Sequence, residues 1–117
     1  MNNDGNNPPQ DAALQLAEEL SSIWTEFRPL IFSQMEVIEK AAGATGVHSL
    51  DDELRQNAKQ EAHRLAGSLG SLGLAQGSQL ASEIERILGT TGHTDEFPTK
   101  RLANLAVLLR HELETFH

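Results

Sequence analysis

The chain has 117 residues, a mass of 12.8 kDa and a formal charge of −8, which together indicate one small acidic domain. It contains no cysteine, so disulfides, thiol nucleophiles and the usual structural zinc sites are excluded. The acidic balance argues against nucleic-acid partners and against anionic membrane surfaces. No apolar run approaches the roughly 18 residues that a membrane span needs.

Composition favours helices over strands. Leucine and alanine together supply 30 residues, whereas the β-branched residues valine and isoleucine, which favour sheets, supply only 8. We expect the polar, proline-containing segment 1–10 to be disordered and residues 11–117 to form the folded domain. Because segment 1–10 lacks the basic start and the apolar stretch of a secretory signal, the expected location is cytoplasmic.

The first helix is predicted over residues 11–42, where apolar residues recur at steps of three and four. Pro29 interrupts the pattern and is expected to kink or split the helix, because proline removes a backbone hydrogen bond. Trp24 is also expected in the core, and the glycine-containing stretch 43–46 predicts a loop. The predicted buried face consists of Leu16, Leu20, Ile23, Phe27, Leu30, Ile31, Ile38 and Ala42.

The second helix is predicted to begin near Ser49, because Ser49 and Asp52 resemble a capping box. Gly73 is expected to end it. Its predicted buried residues are Leu54, Ala58, Ala62, Leu65, Leu69 and Leu72.

Two shorter helices complete the predicted fold. The third covers residues 75–88, where Gly77 either allows close helix approach or only breaks the chain before the helix. The fourth opens at Pro98, a residue suited to a first helical position. Four amphipathic helices with short connections predict an all-α, up-down antiparallel four-helix bundle. The residues predicted to face inward are Leu80, Ile84, Ile87 and Leu88 in the third helix, and Leu102, Leu105, Leu109, Leu113 and Phe116 in the fourth.

The second helix carries a histidine on its predicted solvent side. At about 100° per residue, His63 lies roughly 145° from the centre of the buried stripe. Ala66, Gly67 and Gly70 follow on the same face, although each glycine costs a helix about 1 kcal/mol relative to alanine. Fraying or close packing could explain the glycines, but so could clearance around an imidazole that attacks phosphorus.

The segment from Ala62 to Gly73 resembles the phosphoacceptor helix of histidine-containing phosphotransfer (Hpt) domains. In that family the histidine is followed by an apolar residue two positions on, a glycine four on, a small residue five on and a second glycine ten on. The family fold is a four-helix bundle with the active histidine on the second bundle helix, as the pattern here independently predicts. The matching residues are His63, Leu65, Gly67, Ser68 and Gly73.

The stretch from Ile23-Trp24 through Phe27-Arg28 resembles Hpt domains that accompany cyanobacterial multi-domain response regulators. The chain departs from the family at Ala66, where a lysine is usual. The resemblance assigns His63 as the phosphoacceptor. The supporting residues predicted around it are Lys59, Gln60, Arg64, Ala66, Gly67, Ser68 and Gly70.

Four polar or charged residues around His63 have different expected roles. Lys59, one turn earlier on the same face, could supply the missing positive charge, and Gln60 could donate a hydrogen bond. Arg64 points about 100° away. The resemblance implies a polar residue of the next helix near the histidine, and that position is Glu85 here. A carboxylate close to a phosphoryl group would repel it, so we expect Glu85 to contact the protonated ring nitrogen or solvent.

The resemblance implies a phosphorelay intermediate without enzymatic turnover. His63 would accept a phosphoryl group from a receiver-domain aspartate and pass it to another receiver aspartate. The partners would be receiver domains of response regulators or of hybrid histidine kinases, and Mg²⁺ would come from the receiver, since the chain needs no cofactor of its own. No kinase or Walker phosphate loop occurs, so the chain should not phosphorylate itself. We expect a monomer.

An alternative function stays open at this point. The chain could be a degenerate Hpt domain, a helical adaptor that docks receiver or kinase domains without being phosphorylated. The two functions differ at His63, since an adaptor does not need the imidazole.

The other histidines give no metal motif. His48, His93, His111 and His117 lack the i, i+4 pairing of a helical metal site, and no HExxH motif occurs. We expect all four to lie at the surface, with His111 on the polar side of the fourth helix.

Overall fold

The computed structural model describes residues 8–45, 50–89 and 98–115. These residues form four α-helices: α1 (Pro8–Thr45), α2 (Asp52–Ser71), α3 (Ala75–Gly89) and α4 (Thr99–Thr115). Helices α1 and α3 each pack against both α2 and α4. Helices that follow one another in the chain are therefore neighbours around a shared core, and the predicted all-α, up-down four-helix bundle is confirmed.

The core consists of apolar side chains from all four helices, as the helical spacing predicted. The predicted residues Leu54, Leu72 and Leu80 are partly buried at its edge, and Phe116 lies outside the described residues. The largest fully buried side chains are Ile31, Met35, Ile38, Leu65, Leu69, Ile84, Leu88, Leu102, Leu109 and Leu113.

The N-terminal cap of α2 differs from the prediction, whereas its C-terminal end agrees with the prediction. The N-cap is Asp51, whose carboxylate accepts a hydrogen bond from the Leu54 N–H at 2.7 Å. Ser49, the predicted start, lies outside the described residues. At the other end Gly73 has φ of +82° and its N–H donates to the Gly70 carbonyl at 3.1 Å. This left-handed glycine ends the helix as expected.

The starts of α3 and α4 are set by two special residues. Gly77 is buried inside α3, and a Cβ placed there would lie 3.1 Å from Cδ1 of Leu69. Of its two predicted roles, the structure therefore favours close helix approach over a break before the helix. Helix α4 begins at Thr99, one residue later than predicted. The Pro98 carbonyl accepts the N–H of Leu102 at 3.0 Å, so Pro98 is the residue before the helix.

A charged pair joins α1 to α4. The Arg110 guanidinium donates to Glu39, with Nη2 2.8 Å from Oε1, and also contacts Glu114 at 3.2 Å. The hydrogen bond with Glu39 is the main cause that raises the pKa of Arg110 above its ordinary value. The guanidinium also lies over the ring of Phe32, with 5.3 Å between its central carbon and the ring centre. This pair fixes α1 beside α4.

Helix α1 is longer than predicted at both ends, since it continues to Thr45 through residues that were predicted to form a loop. It begins at Pro8, inside the segment predicted to be disordered, and residues 1–7 lie outside the described part of the chain. Pro29 lies within α1 and does not split it. The proline lacks one N–H, but the turns on both sides still supply the remaining hydrogen bonds of a 38-residue helix.

The predicted buried face of α1 is wrong in its first half. Leu16, Ile23, Phe27 and Leu30 are 57%, 39%, 45% and 53% exposed, although Trp24 is buried at 3%. Because α1 has 38 residues and α2 has 20, α1 is longer by roughly 27 Å. Trp24 and Ile31 are buried, so α1 turns toward the bundle a face that is rotated from the predicted stripe. Helical spacing specifies which residues share a face, but not which face the other helices cover or how far along the helix they reach.

Candidate functional site

His63 lies in the middle of α2, on the side that faces away from the core. Its side chain is 74% exposed. The buried residues Ala62 and Leu65 beside it point into the bundle and fix the rotation of the helix. The predicted exposure of His63 on the second bundle helix is therefore observed.

Glu85 of α3 contacts one ring nitrogen of His63. The distance from Nδ1 of His63 to Oε2 of Glu85 is 3.0 Å, and the glutamate side chain is 29% exposed. An ionised carboxylate can only accept a hydrogen bond, so this contact places the ring proton on Nδ1. The Nε2 lone pair is then available for attack on an electrophile. Of the two expected environments for Glu85, the structure shows contact with the ring.

The N-terminal flank of His63, defined by residues 56–60 of α2, is polar. A shallow depression on this flank is lined by Gln56, Asn57, Lys59, Gln60, His63 and Glu85. Lys59 and Gln60 were predicted at this site, whereas Gln56 and Asn57 were not. Their spacing could have revealed them, because Gln56 precedes His63 by two helical turns.

Lys59 connects this flank to the end of α3. Its side chain is half-buried, and its Cε lies 3.3 Å from the position that a Cβ would take at Gly89. The C-terminus of a helix carries partial negative charge, which favours a cation there. Lys59 therefore lies at the depression beside His63 and also against the last residue of α3.

The C-terminal flank, defined by Ala66, Gly67 and Gly70, is small and only partly open. A Cβ at Gly67 would meet nothing within 4 Å, whereas one at Gly70 would lie 3.4 Å from Oγ of Ser78. Ala66 was predicted on the exposed face but is only 9% exposed. The Ser78 hydroxyl of α3 donates to the Ala66 carbonyl at 2.8 Å, which shows how closely α3 approaches here. An added side chain would thus meet open space at Gly67 and an ordinary van der Waals contact at Gly70.

Two predicted supporting residues lie away from the ring. Arg64 pairs with Glu61 at 3.2 Å, in keeping with the direction expected for it. Ser68 is half-buried, and its carbonyl accepts the N–H of Leu72 at 3.0 Å near the end of α2. Neither contact reaches His63.

The other histidines and the helix compositions in the described part of the chain bear on metal binding and on membrane crossing. His111 is exposed on α4 as predicted, while His48, His93 and His117 fall outside the described residues. Within residues 8–45, 50–89 and 98–115, no group of three or more acidic or histidine side chains could hold a metal ion. None of the helices described has both the length and the apolarity that crossing a bilayer requires.

A four-helix bundle with an exposed histidine on its second helix is the arrangement that the resemblance to Hpt domains implies. The family model of the Hpt domain matches residues 22–116, and the chain belongs to this family. Its members carry phosphoryl groups in two-component phosphorelays, where receiver and kinase domains are their partners.

A relative from Microchaete diplosiphon gives a more specific similarity. The chain is 30% identical over 81 residues to Protein RcaC, and the match covers 69% of this chain but 12% of that protein. The chain thus resembles a small part of a much longer protein, in agreement with the resemblance to Hpt domains of multi-domain regulators. No solved structure matches the chain significantly.

Proposed function

We propose that this chain is a phosphorelay intermediate. It accepts a phosphoryl group from a receiver-domain aspartate on His63 and passes that group to another receiver aspartate. The observation that carries the proposal is the exposed His63 ring with its Nδ1 held by Glu85 at 3.0 Å. This arrangement leaves Nε2, the nitrogen away from the bundle contact, to react.

The transfer proceeds at Nε2 of the neutral ring. The Nε2 lone pair forms a new bond to phosphorus, the bond from phosphorus to the receiver aspartate breaks, and its electron pair leaves with the aspartate carboxylate. The ring keeps its Nδ1 proton and gains positive charge, which the Glu85 carboxylate balances. Transfer to the second receiver reverses these steps.

The chain contributes position and charge balance, and the receiver contributes the metal. Mg²⁺ on the receiver neutralises the phosphoryl oxygens, as phosphoryl transfer generally requires. The chain does not phosphorylate itself. Lys59 takes over the positive charge usual at Ala66, because it lines the same depression as His63.

The direct test is a relay assay with two receiver domains. A receiver carrying labelled phosphate is mixed with Mg²⁺, the chain and a second, unlabelled receiver. Label should appear on the chain and then on the second receiver. His63→Gln should abolish both steps, while its free energy of unfolding stays within about 0.5 kcal/mol of wild type because the side chain is exposed.

His111→Gln is the matched control, since His111 is also exposed on a helix. It should leave transfer unchanged. If the wild-type chain binds receivers but never acquires label, the adaptor function replaces the relay. Equal labelling of wild type and His63→Gln would reject His63 as the acceptor.

A further inference from the structure

The N-terminal half of α1 carries a continuous apolar stripe that the bundle does not cover. We call Leu16, Leu20, Ile23, Phe27 and Leu30 the α1 seam. Leu16, Ile23, Phe27 and Leu30 are 57%, 39%, 45% and 53% exposed, and Leu20 is half-buried. An exposed stripe of five large apolar side chains on one helix is typical of an interaction surface.

The spacing of the seam specifies what kind of partner fits. Its steps are four, three, four and three residues, which is the heptad pattern of a two-helix coiled coil. The same register continues at Gln34, Val37 and Ala41, which are buried or half-buried within the bundle. Helices of the same chain thus cover the second half of this stripe, and the first half is left for a helix from elsewhere.

We propose that a second copy of this chain covers the seam. Two seams pair antiparallel, so that Leu16 of one copy meets Phe27 of the other and Leu20 meets Ile23. A coiled-coil stripe is complementary to itself, as a two-fold symmetric interface requires. A parallel pair is excluded by the bundle, because the second α1 would run into the helices that already cover Val37 and Ala41.

The available length and area support a weak, concentration-dependent dimer. Helix α1 exceeds α2 by roughly 27 Å, enough to expose about four helical turns to a partner. Five half-exposed side chains offer on the order of 500 Å² per copy, or about 1,000 Å² per pair, which is the lower limit for a specific interface. The sequence led us to expect a monomer, and the exposure of the seam is the reason to propose a dimer instead.

The charges beside the seam give this dimer a distinctive salt dependence. Glu19 and Glu26 each directly precede a seam residue, and antiparallel pairing brings Glu19 of one copy near Glu26 of the other. These like charges oppose association at low ionic strength and are screened by salt. The dimer therefore becomes more stable as salt concentration rises.

Sedimentation velocity on the full chain tests the proposal. The protein concentration is varied from about 5 µM to about 500 µM, because this range covers the dissociation constants of weak dimers. The mean mass should rise toward two chains with concentration, and further at high salt. The double variant Ile23→Glu, Phe27→Glu should weaken association at least about tenfold, and circular dichroism should confirm its fold. The matched control is Val107→Glu, Leu108→Glu, which changes two exposed apolar residues of α4 and should not alter association.

A second variant keeps the test decisive if the double variant misfolds. Glu26→Lys turns the repulsive pair into an attractive one, so its dimer should be stronger than wild type and should weaken with salt. A chain that stays monomeric at the highest concentration in high salt overturns the proposal. So does a dimer that the seam variants leave intact. Neither result depends on phosphoryl transfer, so the proposed function is tested separately.

Discussion

The two flanks of His63 on α2 differ sharply in chemistry. The N-terminal flank carries Lys59 and Gln60 and faces Glu85, whereas the C-terminal flank ends in Gly67 with open space around it. The first flank can orient the imidazole and balance charge, and the second leaves room for another protein. In the proposed relay, the groups that contact the ring and the surface left for a receiver would lie on opposite sides of His63.

The largest expected effect comes from filling the open flank. Gly67→Leu adds a side chain into space where a Cβ meets nothing within 4 Å, so the fold should persist. The same side chain should block the receiver and slow phosphoryl transfer about 100-fold, since small displacements of reacting groups cost that much. Rates of label uptake from a phosphorylated receiver measure the effect.

Gly43→Leu is the matched control for that variant. Gly43 is an exposed helical glycine of α1 and also has nothing within 4 Å of its added Cβ. Transfer should proceed at the wild-type rate. A normal rate in Gly67→Leu would show that the receiver does not approach over this flank.

The second largest effect is expected from removal of Glu85, whose carboxylate contacts the His63 ring. Glu85→Ala should slow uptake about tenfold, equivalent to about 1.4 kcal/mol, because the charged ring of the product loses its partner. Nitrogen NMR of the histidine ring should show a shift from a mainly Nδ1-protonated ring toward a mixture of tautomers. Glu83→Ala, which removes a carboxylate of α3 paired with Arg86, should change neither the rate of uptake nor the tautomers of the His63 ring.

A smaller effect is expected from the lysine of the polar flank. Lys59→Met keeps the apolar stem against Gly89 and removes the charge. It should lower the rate of phosphoryl uptake about threefold to fivefold, which corresponds to an increase of less than about 1 kcal/mol in the activation free energy. Arg64→Met is the control, since Arg64 pairs with Glu61 away from the ring. If both variants behave alike, Lys59 has no specific role at the site.

Substitutions at two glycines should change the free energy of unfolding in opposite directions, as chemical denaturation can measure. Gly67→Ala should raise the free energy of unfolding by up to about 1 kcal/mol, because it improves helix propensity without a clash. Gly77→Val should lower it by about 1–3 kcal/mol, because the added atoms press on the fully buried Leu69. Equal responses would mean that the two glycines have the same structural role.

Most of the fold could be predicted from local patterns, and the exceptions have physical reasons. The buried residues of α2 to α4 follow from helical spacing, and Gly73 ends α2 because it adopts a positive φ. Leu16 is exposed because it precedes Trp24, the first buried residue among the described side chains of α1, and spacing does not reveal where the other helices end. Phe27 is exposed although Trp24 and Ile31 are buried, because α1 turns a neighbouring face toward the bundle. The cap at Asp51 was missed because Ser49 offered an equally good local signal two residues earlier.

The candidate site was predictable where it depends on α2 alone. His63 and Gly67 share a face by helical geometry, and Glu85 was expected near the ring from the family resemblance. The burial of Ala66 could not be predicted, because it depends on the depth at which α3 packs and on the Ser78 hydroxyl. Contacts between helices require their relative position, which no single helix pattern contains.

The central claim is that one phosphoryl group is carried on Nε2 of His63. The most direct measurement is phosphorus and proton NMR of the chain after incubation with a phosphorylated receiver. We predict one phosphorus signal per chain, coupled to the protons of the His63 ring in the pattern of an Nε2 adduct. A signal on Nδ1, on another residue, or no signal in a chain that still binds the receiver would contradict the account.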